Sequence, residues 1–445
     1  MVAPALVLAA CAALGPPAAA AAVRRRAGAV ELLSLSPKFD RLFPDGVVGE
    51  VALAEGRNAA EPLRWLEGPT WLEEPGGAAG EGEDVRATVL VSDVIGNRIW
   101  RWREPAFTPR ARTTGGEANI FLEPSGRAQS GGTRLKEPGS NGLLWSAAHR
   151  LLFLCDHGNR RIAVARPPPA SAGGFSGEWA GPTTLVSRAV VDGKARRLNS
   201  PNDLAFAPDG SLWFTDPSYG LSSCDAAGEC VKGDVSPLRE IAFHGVYRVT
   251  AAALEAADRA GRAEVEAELM LSSMSKPNGI AFHAKGATTV LYVSNTGSDP
   301  HIARWKFPLD GKPQPEQGLR FADAGSPKSP SGASAADVGE GGYVNAEAAT
   351  TIRQRYAAEG ASEVAAIWDA AGSGGTDGLA IDGSGRVWAV CPGGVCVFSP
   401  SAELLGTVVV NAKVGNVVLG GDGWLYIAAS SEMLRVQTTV RPWVP

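Results

Sequence analysis

The stretch that decides the fold is RLNSPNDLAFAPDGSLWFTDPSYG, residues 197–220. A polar segment leads into a short apolar strand, a Pro-Asp-Gly turn, a second apolar strand and another polar segment. This order predicts a β-hairpin, which brings its two ends together. We therefore expect the flanking polar side chains to share one rim: Asn202, Asp203, Asp216 and Tyr219.

Versions of this unit recur along the chain. Each starts with a carboxylate or amide residue and continues as strand, turn and strand; the first residues are Glu67, Asn141, Asn202, Asn278, Asp377 and Asn416. Six such units, each with further strand-like residues behind, predict an all-β, six-bladed β-propeller with four-stranded blades over residues 46–438. We expect an N-terminal strand near 46–53 to complete the last blade and close the ring, which removes exposed edges.

The composition supports this class. The chain has 445 residues, of which 44% are hydrophobic, and its 54 glycines and 31 prolines favour many turns. Its net charge is −5 and no long basic run occurs, so we expect no nucleic-acid partner. Residues 251–268 and 345–368 have helical character. We interpret them, with an insertion over 325–370 that combines a flexible loop and a helix, as decoration on one face; a substrate lid is the alternative.

The N-terminal 22 residues are almost entirely small or apolar, and an Arg-Arg-Arg run follows at 24–26. We interpret 1–22 as a signal peptide and 23–45 as a leader with little pattern. This predicts a secreted or endomembrane-lumen protein without a stable membrane span. Membrane anchoring, by a span or by a lipid on Cys11, is the alternative.

The cysteines leave two alternatives open. Cys224 and Cys230 bracket a short polar loop, and Cys391 and Cys396 flank a hairpin turn. Either pair is a disulfide in an oxidising compartment or a pair of free thiols. Cys155 sits within an apolar strand, where we expect it to be a core residue.

The first residues of the six units suggest a metal site. If each begins the innermost strand of its blade, all six face a common axis. Such a ring offers oxygen ligands without thiolate or imidazole, the set that Ca²⁺ prefers. The alternative is that Asn or Asp before a strand caps a turn; for Asn141 and Asn416, taken singly, this interpretation is equally good.

Several motifs occur in an order that resembles a known family. They are EGPTW at 67–71, HGNRR at 157–161, NSPND at 199–203, FTDPSYG at 214–220, PNGIAF at 277–282 and DGLAID at 377–382. Together they resemble the senescence-marker-protein/gluconolactonase/luciferin-regenerating-enzyme-like propellers. The resemblance implies a six-bladed propeller that hydrolyses lactones or other cyclic esters, with a divalent cation in the central channel.

The resemblance also implies particular ligands. Glu67, Asn278 and Asp377 correspond to metal ligands, and Asn202 to a fourth ligand or a substrate contact, with Asp203 beside it as an alternative contributor. The expected cation is Ca²⁺, or another divalent ion such as Zn²⁺, Mg²⁺ or Mn²⁺. It would polarise the lactone carbonyl and stabilise the developing oxyanion.

Attack by water also requires a base. Asp377 is the first candidate, as a carboxylate at the metal, and His157 is the second because the hairpin places it on the rim of Asn202. The alternative for His157 is a structural hydrogen bond. No Gly-x-Ser-x-Gly elbow occurs, which disfavours a serine hydrolase.

The expected partner is a small lactone or ester: an aldonolactone, an aromatic or fatty lactone, or an organophosphate ester. Asn141, Arg160, Asp203 and Tyr219 are candidate substrate contacts. For Arg160 and its neighbour Arg161 the alternative is ion pairing with an aspartate, and Tyr219 alternatively packs on Pro217. Two other functions stay open: a non-catalytic propeller that binds calcium or a partner, and a strictosidine-synthase-like enzyme that needs no metal.

Overall fold

Strands dominate the structure, a computed structural model that describes residues 23–72, 87–104, 116–129, 133–169, 175, 177–261, 263–297, 300–309, 311–313, 318–323 and 376–445. The predicted signal peptide (1–22) and the predicted insertion (325–370) lie outside the described residues. The all-β prediction is confirmed.

The strands of the first half of the chain are β1 (Val23–Ala27), β2 (Val30–Ser34), β3 (Gly49–Ala54), β4 (Leu66–Leu72), β5 (Thr88–Asp93), β6 (Arg98–Arg103), β7 (Glu117–Leu122), β8 (Arg134–Leu135), β9 (Leu143–Ser146), β10 (Leu151–Asp156), β11 (Arg161–Arg166), β12 (Ala180–Val186), β13 (Arg188–Val191), β14 (Lys194–Arg197), β15 (Leu204–Phe206) and β16 (Leu212–Asp216). Those of the second half are β17 (Ser223–Cys224), β18 (Cys230–Val231), β19 (Gly245–Val249), β20 (Glu268–Leu271), β21 (Pro277–Lys285), β22 (Thr288–Asn295), β23 (His301–Pro308), β24 (Leu319–Asp323), β25 (Leu379–Ile381), β26 (Val387–Cys391), β27 (Gly394–Phe398), β28 (Leu404–Val409), β29 (Val414–Leu419), β30 (Trp424–Ala429) and β31 (Glu432–Gln437). The helices are α1 (Pro37–Asp40) and α2 (Ala251–Arg259).

The six predicted units each begin an antiparallel sheet. Sheets 1 to 4 are β4-β5-β6-β7, β9-β10-β11-β12, β15-β16-β19-β20 and β21-β22-β23-β24. Sheet 5 is β25-β26-β27-β28, extended by β2 and β1, and sheet 6 is β29-β30-β31-β3. The N-terminal strand β3 thus pairs with β31, the last strand of the chain, where the sequence places it.

The sheets follow one another in a circle. The first strand of each sheet contacts the first strand of the next, and β29 of sheet 6 contacts β4 of sheet 1. A cluster of buried apolar side chains separates each neighbouring pair of sheets; representative pairs, from sheets 1 and 2 around to sheets 6 and 1, are Leu90 and Leu152, Phe153 and Phe214, Trp213 and Leu291, Tyr292 and Val387, Trp388 and Leu425, and Tyr426 and Trp102. The hydrophobic effect therefore stabilises the circle at every junction.

The N-terminal segment 23–45 differs from the prediction of a leader with little pattern. Its strands β1 and β2 form a hairpin, and β2 pairs with β28 of sheet 5. Leu32 and Phe39 are buried in the cluster between sheets 5 and 6. The segment is ordered because it covers the outer edge of sheet 5 and buries these side chains.

The predicted helix over 251–268 is shorter than expected. Helix α2 starts after Thr250, whose side chain accepts a hydrogen bond from the Ala253 N–H, and it ends at Arg259. Gly261 follows with a positive φ of 71°, a conformation that ends helices. No helix among the described residues is long and apolar enough to cross a membrane.

A small sheet is added to the circle. Strand β17 pairs with β18 and with β8, which precedes sheet 2 in the chain. A disulfide joins Cys224 to Cys230 across β17 and β18, and a second one joins Cys391 to Cys396 in sheet 5. Cys155 is a free, buried thiol, as expected for a core residue.

Candidate active site

The first residues of the six units lie together at the start of the six first strands. We call Glu67, Asn141, Asn202, Asn278, Asp377 and Asn416 the polar ring. Five of the six side chains are at most 5% exposed, and Asp377 is half-buried. The structure thus brings all six together, although their sequence positions span most of the chain.

Hydroxyl groups of the second strands fix the backbone of the polar ring. The Ser92 hydroxyl donates to the Asn141 carbonyl at 2.7 Å. In the same way, Thr215 donates to the Asn278 carbonyl at 2.6 Å, and Ser294 to that of Asp377 at 2.6 Å. Each bond runs from one sheet to the ring residue of the next, so neighbouring sheets position one another.

Close packing between backbone segments also positions neighbouring sheets relative to one another. A Cβ atom at Gly68 would lie 2.5 Å from the carbonyl oxygen of Asn141, closer than any side chain tolerates. The Gly142 N–H donates to the Asn202 carbonyl at 2.7 Å. Glycine next to a ring residue therefore allows two first strands to approach closely.

The acidic groups of the site repel one another in a buried place. Burial, and then the charges of Asp377 and Asp203, raise the pKa of Glu67 well above its usual range. Burial also raises the pKa of Asp377 to about 8, although the positive charge of Lys413 opposes the shift. Burial raises the pKa of Asp203 to about 7. A cation among these groups would remove the repulsion.

The side-chain atoms present fit a hard divalent cation. The Oδ1 atom of Asn141 is buried and has no hydrogen-bond partner among the described residues. The Asn278 amide donates to the Thr296 hydroxyl at 3.0 Å, which leaves its Oδ1 as the acceptor atom. In the described part of the chain, no group of three or more His, Cys, Asp or Glu side chains could hold a metal by itself. The candidate ligand set instead combines two carboxylates with amide oxygens, as Ca²⁺ sites do.

Asn416 differs from its ring neighbours. Its Oδ1 accepts from the N–H of Val417 at 2.8 Å, the capping contact that the sequence leaves as an alternative. Its amide lies 3.5 Å from Asp203 Oδ2. Asp203 and Asn416 also line a cavity of about 490 Å³ with apolar residues of all six first strands and the C-terminal segment 442–445. Both side chains therefore mark the boundary between the polar ring and this largely apolar cavity.

The predicted base His157 is completely buried. Its Nδ1 lies 3.0 Å from the Pro201 carbonyl oxygen, and its Nε2 lies 3.1 Å from Glu137 Oε2. Both ring nitrogens are thus engaged, which agrees with the structural hydrogen bond left open by the sequence. Glu137 is not predicted by the sequence reasoning, yet its charge raises the pKa values of Glu67, Asp377 and Tyr219.

Arg160 lies behind the rim and binds backbone. Its Nε donates to the carbonyls of Leu198 at 2.8 Å and Asn199 at 3.1 Å, and the residue is 5% exposed. This geometry favours a structural role over the predicted substrate contact. Arg161 forms the alternative ion pair, with Asp156 at 2.6 Å.

Asp216 accepts from the backbone N–H of Asn199 at 2.7 Å. We call His157, Arg160, Asn199 and Asp216 the support group, because they join the segments next to Asn202 through backbone contacts.

Tyr219, a predicted substrate contact, is half-buried, and the Lys276 ammonium lies 4.8 Å from the centre of its ring.

Sequence reasoning also misses Trp65 and Lys413. The Trp65 indole N–H donates to Glu67 Oε1 at 3.2 Å, and the Lys413 ammonium lies 4.9 Å from the centre of the Trp65 ring. Each precedes a ring residue by two or three positions in the chain. Their short distance in sequence from Glu67 and Asn416 is the signal that could have identified them.

Comparisons with known proteins identify the family of this chain. A family model described as the SMP-30/gluconolactonase/LRE-like region matches residues 65–367, more than half of the chain. A gluconolactonase of Zymomonas mobilis subsp. mobilis is 27% identical over 414 residues, which cover 92% of this chain and 86% of that protein.

Two solved structures show a similar fold. A gluconolactonase from Xanthomonas campestris has 22% sequence identity and a TM-score of 0.55, with 94% of this chain and 100% of that chain covered. A structure provisionally described as a gluconolactonase has 24% identity and a TM-score of 0.57, with 93% and 100% covered. Because the family model matches more than half of the chain, the chain belongs to the SMP-30/gluconolactonase/LRE-like family.

Proposed function

We propose that this protein is a six-bladed β-propeller that hydrolyses a sugar lactone with a divalent cation in its central channel. The observation that carries the proposal is the meeting of two carboxyl groups, the buried Glu67 and the half-buried Asp377, with amide side chains in one ring. The first strand of each sheet contacts the first strand of the next around the circle, which supports a count of six blades. The family and the curated gluconolactonase relative support an enzyme of the lactonase type.

Glu67, Asn202, Asn278 and Asp377 would hold the cation through side-chain oxygens. We favour Ca²⁺, with Zn²⁺, Mg²⁺ or Mn²⁺ as alternatives, because the donors are all oxygen atoms. When bound, such an ion polarises the ester carbonyl and stabilises the negative charge that develops on its oxygen.

The other residues near the ring suit a hydroxylated ligand. The Asn141 Oδ1 atom is an acceptor without a partner among the described residues, and Lys413 offers donors next to the Trp65 ring. Tyr219 supplies a second aromatic surface and Asp203 a further acceptor. Such a mixture of aromatic faces and polar atoms favours a sugar lactone over a fatty lactone or an organophosphate ester.

In the reaction, the oxygen of a water molecule bonds to the lactone carbonyl carbon and its proton passes to a base. The carbon–oxygen bond of the ring then breaks, the ring oxygen takes up a proton, and a hydroxy acid is released. Asp377 is the base that the sequence favours, but it also belongs to the proposed ligand set.

A pH-stat assay tests the proposal. We expect acid release from glucono-1,5-lactone to stop on addition of EDTA and to resume on addition of excess Ca²⁺. A long-chain aliphatic lactone serves as the comparison substrate. Full activity after removal of the metal would favour the metal-free alternative, and no metal-dependent acid release from any lactone would favour a binding protein.

We also propose that the protein is exported, with residues 1–22 as the signal peptide. The two disulfides support an oxidising compartment. Expression in the native host, followed by N-terminal sequencing of the exported and the cell-associated protein, tests this. A protein that keeps residues 1–22 inside the cell would contradict it.

A further inference from the structure

We propose that Glu137 is the catalytic base of this site and that His157 is its positioning residue. The inference rests on the proposed lactonase function and assigns a role that no family motif in the sequence carries. It starts from the contacts of His157, which was itself a candidate base.

His157 cannot reach a substrate. The side chain is completely buried, and both ring nitrogens are engaged. Gly220 closes the remaining side, because a Cβ atom there would lie 2.6 Å from His157 Nε2. The imidazole therefore acts through its two partners, of which Glu137 is the only side chain among the described residues.

The hydrogen bonds of His157 fix its orientation toward Glu137. The Pro201 carbonyl can only accept, so Nδ1 donates to it. Nε2 lies 3.1 Å from Glu137 Oε2, so the ring holds one of the two carboxylate oxygens in place. The second carboxylate oxygen of Glu137 is not used by His157.

The backbone on both sides of Glu137 is fixed by hydrogen bonds. Lys136 N–H donates to the Ser222 carbonyl at 2.9 Å, which ties the segment to the small sheet that the Cys224–Cys230 disulfide closes. On the other side, the Pro138 carbonyl accepts from the Arg127 N–H at 2.7 Å. The Glu137 side chain remains 32% exposed, so substrate and water can reach it.

The location suits a base better than a ligand. His157 links Glu137 to Pro201, the residue before Asn202. The charge of Glu137 also acts on the two carboxyl groups of the polar ring, Glu67 and Asp377. It takes a proton from the attacking water as the carbon–oxygen bond forms. It then returns that proton to the ring oxygen as the ester bond breaks, so the carboxylate is regenerated with the hydroxy acid.

The test compares Glu137→Gln with wild type by pH-stat kinetics and by Ca²⁺ calorimetry. We expect kcat to fall at least about 100-fold, as general-base removal does, with KM within about threefold. Ca²⁺ affinity should stay within about threefold. Glu123→Gln, in the same connection but paired with Arg98 at the surface, should leave all three unchanged.

Two further variants separate catalysis from structure. Formate should raise the activity of Glu137→Ala at least about tenfold, because it can replace the missing carboxylate. A merely structural defect would not respond to formate. His157→Gln should lower kcat by about tenfold and should not respond to formate.

The outcomes are distinct. Activity of Glu137→Gln within threefold of wild type overturns the inference alone. Parallel loss of Ca²⁺ binding and activity makes Glu137 a ligand and also overturns it. A wild-type protein that hydrolyses no lactone overturns the proposed function and this inference with it.

Discussion

The polar ring and the support group lie next to each other, yet their polar atoms have different partners. In the ring, the charge of Asp377 reaches Glu67 from a distant part of the chain and raises its pKa. In the support group, Arg160 and Asp216 bind backbone groups at 2.8 and 2.7 Å. Groups that repel each other suggest a ligand, whereas groups bound to backbone suggest a scaffold. The difference predicts that substitutions in the ring affect function, whereas substitutions of Arg160 and Asp216 in the support group affect stability.

The largest expected effect is in the ring. Glu67→Gln should abolish tight Ca²⁺ binding and lower kcat/KM at least about 10³-fold, about 4 kcal/mol of transition-state stabilisation. The free energy of unfolding without metal should stay equal or rise, because a buried carboxylate disappears. Calorimetry, pH-stat kinetics and urea denaturation measure these quantities.

Asn416→Ala is the matched control within the ring, since the Asn416 side chain already binds the backbone of Val417. Its Ca²⁺ affinity should fall less than tenfold. Equal losses in both variants would contradict the proposed ligand set.

The support group should respond in the opposite way. Arg160→Met leaves the carbonyls of Leu198 and Asn199 without their donor, which we expect to cost about 3 kcal/mol of unfolding free energy. The folded fraction should keep kcat/KM within threefold. Arg166→Met, at an exposed pair with Asp258, should cost less than about 1 kcal/mol. A stable Arg160→Met protein without activity would restore Arg160 as a substrate contact.

A pH dependence follows from Asp216. Burial raises the pKa of this carboxyl to about 7. The folded state therefore binds the proton more tightly than the unfolded state, and stability falls as the pH rises from about 4 to about 7. Between pH 5 and pH 8, wild type should lose about 2 kcal/mol more than Asp216→Asn in urea denaturation. Equal pH dependence in the two proteins would show that Asp216 titrates normally.

The fold could be predicted because its signal is repeated. Each unit carries an apolar strand, a turn and a second strand, and the six first strands lie where the sequence places them. The sequence does not predict the hairpin of β1 and β2, because this hairpin occurs once and has no repeat with which it can be compared. Helix α2 was predicted too long because residues 260–268 keep a helical composition while β20 pairs in sheet 3.

The site could be predicted only as far as strand order determines it. The polar ring follows from the repeated first position of the six units. Glu137 does not, because its position depends on the pairing of β8 with β17, two two-residue strands far apart in the chain. Arg160 stays a predicted substrate contact with ion pairing as the alternative, and its contacts with backbone carbonyls favour a structural role that the motif does not indicate. A motif shows which residues are near a site, whereas their hydrogen-bond partners determine what they do.

The smallest expected effect is at the connection between the two groups. Thr215, next to Asp216, accepts from the Asp203 N–H at 3.2 Å and donates to the Asn278 carbonyl at 2.6 Å. Thr215→Val keeps the shape but leaves this carbonyl without its donor, so we expect a loss of about 1 kcal/mol in unfolding free energy and a few-fold weaker Ca²⁺ binding. Thr215→Ser, which keeps the hydroxyl, should retain wild-type Ca²⁺ affinity. Unchanged Ca²⁺ affinity in Thr215→Val would mean that the ring holds its geometry without help from the neighbouring sheet, and the two groups would then be independent.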